Sequence, residues 1–545
     1  MRRPKLEEMT LREKLGQTDQ PSAAVVRAGL EECGSYEAYI QKYPFGSIWI
    51  SENLKRVDGT PFASPEELGS QVHSMSNAAK IPLLVTGDFE MGANSIFPCL
   101  HAAGSNMEMG ASGNLELIYK RAYYWARELR SFGVNNPYGP VTDICGNFFS
   151  AGAVRRISDD WKRIVEVQRA LFKGIHDAGL AACMKHYPGP SNDYRDSHFS
   201  MCTVDKDVDE WYQTYFNIYK SAVADGVMSV ESSHHPWPSI DPRKARGNIL
   251  RPATASKPVM DILRNEIGFN GVLYTDAVNM KAMSAAFEHE DVYIESFLAG
   301  HDVVIFVHND YFDVMEKAYN EGRITMEQID TAVTRVLDLK EKLGLFEGPL
   351  PLNPLTPEEN ADFDRVLYEL AKSAQTLVTN ANGAIPFDPK KIKKAAIITL
   401  SSMESFHRDI PVMTEQFAKY GIETTVVDKI TSDSLAKLDA EHDLIIYACM
   451  IKTGFAAGMP FFDRPELRSL FHSMSYGATK SVVVSFGHPS VYYNYFENCD
   501  IYINTYSADK WAMTAVVDGI LGQFPFVGKS PVSLFPFHKQ YEVKN

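Results

Sequence analysis

Polar residues that could do chemistry stand where short apolar runs end: Asp88 in VTGDFEMG, Asp143 in GPVTDI, Lys185 and His186 in MKHYPG, His234 in SSHH, and Asp276 in LYTDAVNM. A single strand-end Asp or His more often caps a helix or satisfies loop amides than reacts. Several on one rim are a different matter, because in an α/β barrel the loops after the strands converge on one mouth. The segment KHYPGPSNDYRDSHFS adds Asp196 two residues before His198. An Asp so placed accepts a hydrogen bond from one imidazole nitrogen, fixes the tautomer and leaves the other nitrogen free to pass a proton. The competing reading is an ordinary Asx turn.

The elements that must position these residues follow from alternation. Up to residue 345, short apolar runs (GSIWI, PLLVTGD, VNNPYGPVTD, AACMKHYPG, VMSVESSH, VLYTDA, DVVIFVHND) alternate with amphipathic stretches such as 159–179 and 325–344, as repeated βα units require. A (β/α)8 TIM-like barrel is the economical closure. Residues 346–364, with four prolines and several acids, suit a connection between domains. Beyond them AAIITL, TTVVD, HDLIIYACM, KSVVVSFG and DIYINTY predict a smaller α/β sandwich over 365–545. The expected fold is therefore α/β, with a catalytic barrel over 1–345, a linker over 346–364 and the sandwich.

Lys plus Arg number 54 against 69 Asp plus Glu, a formal charge of −15 in 545 residues. That balance repels phosphate backbones and anionic membranes, so neither is expected as a partner. The seven cysteines lack CxxC or zinc-site spacing and read as reduced, mostly buried thiols, with no metal or cofactor expected. No apolar run is long enough to span a bilayer. With Met1 as the natural start, the expected location is the cytoplasm; the oligomeric state is open.

The motifs also carry a resemblance. KHYPGPS followed by Asp196-Ser197-His198 keeps the spacing of KHFPGHG followed by DSH in glycoside hydrolase family 3, and specifically in its bacterial β-N-acetylglucosaminidase branch. GFNGVLYTDAVNM, 268–280, resembles the family's nucleophile segment; TLREKLGQ its opening helix; VRRISDD its sugar-binding arginine segment; LAKSAQTLVTN, VSFGHPSVYY and GKSPVSL its second domain. The resemblance implies Asp276 as nucleophile, His198 as acid/base and Asp196 as its orienting partner. It implies Asp88, Arg155, Lys185 and His186 as sugar-binding residues, while Asp143 and His234 are weaker candidates that either support the loops or touch ligand.

That set fits a retaining mechanism on the terminal N-acetylhexosamine of a small carbohydrate or glycopeptide. A neutral imidazole does not repel an anion, so phosphate is expected to compete with water as acceptor. Three departures stand out: Pro190 and Ser191 replace the family's HG, Ala93 and Ile96 stand where arginines are expected, and Met91, Met107 and Met109 enrich the rim in soft apolar side chains. Those methionines suit either core packing or an aglycone platform. Two alternatives follow, a β-glucosidase-type member using a Glu acid from the second domain, and an inactive sugar-binding or scaffold barrel.

Overall fold

The computed structural model describes residues 2–535 apart from 95, 147–149, 151, 191, 192, 194, 452–460 and 474–479. The chain is a two-domain α/β fold. Besides a two-stranded antiparallel hairpin (Lys244–Arg246 with Ile249–Leu250), the N-terminal part has the parallel-paired strands β1 (Asp19–Pro21), β2 (Ser47–Trp49), β3 (Leu84–Thr86), β4 (Tyr138–Val141), β5 (Cys183–Tyr187), β6 (Ser229–Ser232), β7 (Val272–Tyr274) and β8 (Val304–Val307). The seven runs read as strands each contain one of β2 to β8. Strand β1 is a further one, too short and proline-ended to announce itself.

Among these eight, strand β1 pairs with β8, β2 with β3, and β4 to β7 form one ladder. Single bridges, Asp88 to Tyr138 and Tyr274 to Val303, join β3 to β4 and β7 to β8. Between β1 and β2 the Ser47 hydroxyl donates to the Asp19 carbonyl at 2.8 Å.

Strand side chains alternate between faces, and the packing follows. Leu84, Tyr138, Cys183, Val272 and Tyr274 fall in one buried cluster. Val85, Met184, Val230 and Leu273, each one residue out of step, fall in another with the surrounding helices. The first face, continued two residues at a time, reaches Asp88 from Leu84, Lys185 from Cys183, Glu231 from Ser229 and Asp276 from Tyr274. Register partners Lys185 and Glu231 on β5 and β6, and Glu231 and Tyr274 on β6 and β7, bring that row together.

The helices that frame this row are capped by sequence. Helix α1 (Asn106–Ser112) starts on Ser105, whose hydroxyl accepts from Glu108 N–H, and α2 (Leu115–Ser131) starts on Asn114. Helix α3 (Trp161–Asp177) is capped by Asp160, and α4 (Met326–Lys342) by a Thr325/Gln328 capping box with Gly344 in a left-handed turn at its end.

Residues 351–356 carry no regular structure. Helix α5 (Pro357–Ala374) then begins on a Thr356/Glu359 capping box. Its Phe363, Leu367 and Leu370 join the N-terminal core, while Tyr368 donates to Asp518 at 2.6 Å on α6 (Lys510–Ile520). The helix thus packs against both parts.

The C-terminal sheet contains β9 (Thr376–Asn380), β10 (Lys394–Leu400), β11 (Glu423–Val427), β12 (Leu444–Cys449), β13 (Ser481–Ser485) and β14 (Ile501–Asn504). Their order is β9-β14-β13-β12-β10-β11, parallel except for β9. Central β10 is apolar on both faces: Ala395 and Ile397 enter one core, Ala396 and Ile398 the other, as a parallel strand covered on two sides requires.

All seven cysteines are free thiols, four of them buried. Among the described residues no helix is long and apolar enough to cross a membrane.

Candidate active site

One pocket at the ends of β3 to β7 is lined by Asp88, Arg155, Lys185, His186, Asp196, His198 and Asp276. The sequence-predicted residues are therefore brought together, four from strand ends and three from loops.

Lys185 is buried and donates to Asp88, whose carboxylate opens to the pocket. Burial opposes the charge on Lys185, but Asp88 holds the ammonium above the ordinary range. His186 follows a cis Lys185–His186 peptide. Its Nδ1 meets Asp143 Oδ2 at 2.8 Å, and its backbone N–H donates to Asp143 Oδ1 at 2.8 Å. Burial opposes the imidazolium, yet Asp143 raises His186 above its usual value. Asp143 is thus the orienting partner of His186, and the other ring nitrogen is left for the pocket.

The turn after this strand needs glycine. Gly189 has φ +108°, and a Cβ there would lie 2.4 Å from the Tyr215 ring. Trp211 Nε1 donates to the Pro188 carbonyl at 2.8 Å, which fixes the start of the loop. Ser191, Asn192 and Tyr194, part of the rewritten segment, lie outside the described residues.

Further along, His198 Nδ1 meets Asp196 Oδ1 at 2.5 Å, and the same oxygen accepts from His198 N–H at 2.9 Å. The Asx turn and the dyad coexist: one carboxylate oxygen serves backbone and ring. The His198 carbonyl accepts from Lys281 N–H at 3.3 Å, which ties this loop to the segment following Asp276.

Asp276 takes the Ala277 N–H at 2.7 Å. Burial works against its ionisation, but His234 and His186, this amide and His198 together hold it below the ordinary carboxylate range. It is thus an anion at neutral pH, as a nucleophile must be. His234 does not line the pocket. It is buried, bonded to Thr254 Oγ1 at 2.7 Å and to the Ala277 carbonyl at 2.9 Å, so it supports the turn that carries Asp276. His235 lines the pocket instead, with burial pushing it down to about 4.

Arg155 sits in a short helical turn, its carbonyl held by Asn106 at 2.6 Å. Its guanidinium donates twice to Glu90 Oε1, at 2.8 and 2.6 Å. Burial opposes that charge, but Lys185 and Arg155 bring Glu90 down to about 2. Glu90, two residues past Asp88, is one participant that sequence reading missed. Glu231 is another, buried, with Oε2 3.6 Å from Lys185 Nζ. Strand alternation marks Glu231: with Val230 outward, it must share the face of Lys185. Arg156 and Arg195, the latter paired with Asp193, also line the pocket.

His186, Glu231 and Asp276 offer donor atoms within 4.8 Å of one another. The Lys185 ammonium, 3.6 Å from Glu231 Oε2, sets a fixed positive charge beside that group. Of the rim methionines, Met107 and Met109 are core residues and Met91 is exposed. Met91 lines a neighbouring cleft formed with Phe486 and Trp511 of the second domain. The second domain reaches the first pocket through His488, whose Nε2 meets the carbonyl of pocket-lining Ser150 at 2.9 Å.

Residues 10–339 match the family model described as the glycosyl hydrolase family 3 N terminal domain. The chain is 27% identical over 498 residues to a "Beta-N-acetylglucosaminidase/beta-glucosidase" of Cellulomonas fimi, covering 86% of each protein. It is 28% identical over 376 residues to a "Beta-hexosaminidase A" of Pseudoalteromonas piscicida, covering 62% of each. Among solved structures, a beta-glucoside phosphorylase superposes with TM-score 0.83 at 23% identity, covering 97% of this chain and 95% of that one. A family 3 beta-N-acetylglucosaminidase from Paenibacillus sp. str. FPU-7 superposes with TM-score 0.78 at 22% identity, covering 96% and 99%. With its motifs, its pocket and a family match over most of its length, the chain is a glycoside hydrolase and belongs to glycosyl hydrolase family 3.

Proposed function

We propose that this enzyme releases terminal β-linked N-acetylglucosamine, or a closely related N-acetylhexosamine, with retention of configuration. The observation that carries the reading is the pairing, in one pocket, of an ionised Asp276 with the His198/Asp196 dyad. Asp276 attacks the anomeric carbon while His198, oriented by Asp196, protonates the departing oxygen. The same imidazole then takes a proton from the incoming acceptor as the glycosyl-aspartate is broken. Asp88, Lys185, His186 and Arg155 hold the sugar hydroxyls, with cations donating and Asp88 accepting. The names of the Cellulomonas and Pseudoalteromonas relatives support the N-acetylated sugar.

In the same reading the N-terminal strands close as a (β/α)8 barrel through β1 and β2, over a domain ending near 345, with a connection over 346–364 and the second domain over 365–545. The separate cores on either side support that division. Free thiols suit a cytoplasmic protein, and its partner is a small carbohydrate or glycopeptide. Arg156 and Arg195, which line the same pocket, favour a second reading of the acceptor, in which phosphate replaces water and the product is a sugar 1-phosphate.

The test is to compare 4-nitrophenyl N-acetyl-β-glucosaminide with the plain β-glucoside, then to trap a fluorinated N-acetylglucosaminide on Asp276 and read the adduct by mass spectrometry. Exclusive turnover of the glucoside overturns the sugar assignment. A label on any other residue overturns the nucleophile. Absence of sugar 1-phosphate in phosphate buffer removes the second acceptor.

A further inference from the structure

Glu231 has no part in the steps above, yet it occupies the centre of the strand-end row. Its side chain is 5% exposed, it lines the pocket, and among the described residues its Oε2 has no hydrogen-bond partner. Its donor atom lies within 4.8 Å of those of Asp276 and His186. A buried carboxyl oxygen left without a partner is costly unless something at the site satisfies it.

The groups that face Glu231 come from every neighbouring strand. They are Lys185 and His186 on β5, Asp88 at the end of β3, Tyr138 on β4, and Asp276 after β7. Lys185 is the one fixed cation, but its hydrogen bond goes to Asp88, and it stands 3.6 Å from Glu231. Two buried carboxyls so close do not both ionise cheaply. Their surroundings divide them. Asp276 receives an amide N–H and the fields of His234 and His186, whereas Glu231 Oε2 finds no donor among the described residues.

We propose that Glu231 is a positioning residue for Asp276, staying a neutral carboxylic acid in the working enzyme so that a hydrogen-bond donor, and not a second anion, stands beside the nucleophile. A neutral acid both donates and accepts, and from within 4.8 Å it is placed to turn its O–H toward Asp276 without adding charge at the reacting carbon. Burial and then the Asp276 charge keep the proton on Glu231, with Lys185 offsetting part of this and leaving it pushed up to about 8. The pair shares its titration: one proton leaves at low pH, the other in mildly alkaline solution. Once the second is lost, two anions repel in the pocket and the donor is gone.

This inference rests on the hydrolase reading above, and the experiment separates the two. A 2,4-dinitrophenyl glycoside, of the N-acetylglucosamine or the glucose series, leaves without a proton, so its kcat/KM does not follow the protonation of His198. The wild-type profile with that substrate is expected to fall above about pH 8, and Glu231→Gln, which keeps a neutral donor, moves the fall to higher pH with activity within about tenfold. Glu231→Ala loses about 100-fold in kcat, with KM little changed. An alkaline limb unmoved in Glu231→Gln, or its absence in wild type up to pH 10, overturns the proposal. If no glycoside is turned over, the hydrolase reading has failed, and Glu231 is then judged by infrared difference spectra. A protonated-carboxyl band that vanishes through about pH 8 and is missing in Glu231→Gln supports it, and no such band overturns it.

Discussion

The strand-end row and the dyad loop solve the same problem, holding a reactive side chain still, by opposite means. Asp276 sits two residues past a short strand whose neighbours are fixed by parallel ladders, with His234 bracing the following turn. His198 is one-third exposed and takes its orientation from a residue two positions back, and its carbonyl accepts from Lys281 N–H in the segment after Asp276. The row is held by the whole sheet; the loop is held in part by bonds within itself, among them those from the Phe199 and Ser200 N–H groups to the Asp196 carbonyl. Substitutions in the row should therefore act on the chemistry with the geometry intact, while substitutions in the loop should act through orientation.

The largest effect is expected at Asp276. Replacement by Ala removes the nucleophile while leaving the strand in place, so kcat should fall by about 10⁴-fold or more without loss of the folded state. Turnover measured beside circular dichroism checks this, and retained activity would end the comparison. At His198, Ala should cost about 10²- to 10⁴-fold on substrates with a poor leaving group and far less on a dinitrophenyl glycoside, because general-acid help is then superfluous. An equal loss on both would mean that the loop shapes the pocket and does not move a proton.

Asp196→Asn is the sharper probe of local orientation. The amide still accepts from the His198 N–H, but it no longer favours the imidazolium that forms as the acceptor's proton arrives. We expect a loss of about 10- to 100-fold in kcat, smaller than at His198 and additive with nothing at that site, so the double variant should match His198→Ala alone. Independent losses that multiply would show the two residues working apart.

How much of this was legible depended on the kind of information each residue carries. Asp88, Lys185 and Asp276 end apolar runs, so their placement at strand ends could be read from hydrophobic alternation. Asp196 and His198 were legible because their coupling is local, two residues apart. Glu231 was in reach of the same alternation, but it stands inside the run SVESS, where a charged residue looks like an interruption of a strand and not its product. Glu90 was hidden for another reason. Its value comes from Arg155, 65 residues away, and no local pattern reports such a pair. Strand β1, three residues long, is made by its neighbours β8 and β2, so tertiary pairing and not propensity decides it. In the second domain, β10 and β12 were evident as apolar runs, while edge strand β9, TLVTN, is half-exposed and weakly marked.

The smallest effect tests whether the second domain supports the pocket at all. His488 is wholly buried. Its Nε2 donates to Ser150 O and its Nδ1 accepts from Ser490 N–H at 3.1 Å, an arrangement that needs the neutral ring. Burial, with Arg156 adding to it, brings His488 down to about 4 despite the Ser150 bond. An unfolded histidine titrates near 6.5, so between about pH 6.5 and 4 the unfolded chain binds a proton that the folded one refuses. Stability from this group is complete above that window and is lost as pH falls through it, at about 1.4 kcal/mol per pH unit. Thermal melts from pH 7 to pH 4 should therefore show a shallower acid slope in His488→Gln than in wild type. His488→Ala should cost about 1–3 kcal/mol at pH 7 by leaving the buried Ser150 carbonyl unpaired, with kcat/KM reduced by less than about tenfold, since Ser150 lines the pocket without reaching the reacting atoms. A slope unchanged by the Gln variant would mean that the link between the domains is packing alone, and that the pocket's geometry belongs to the N-terminal strands and their loops.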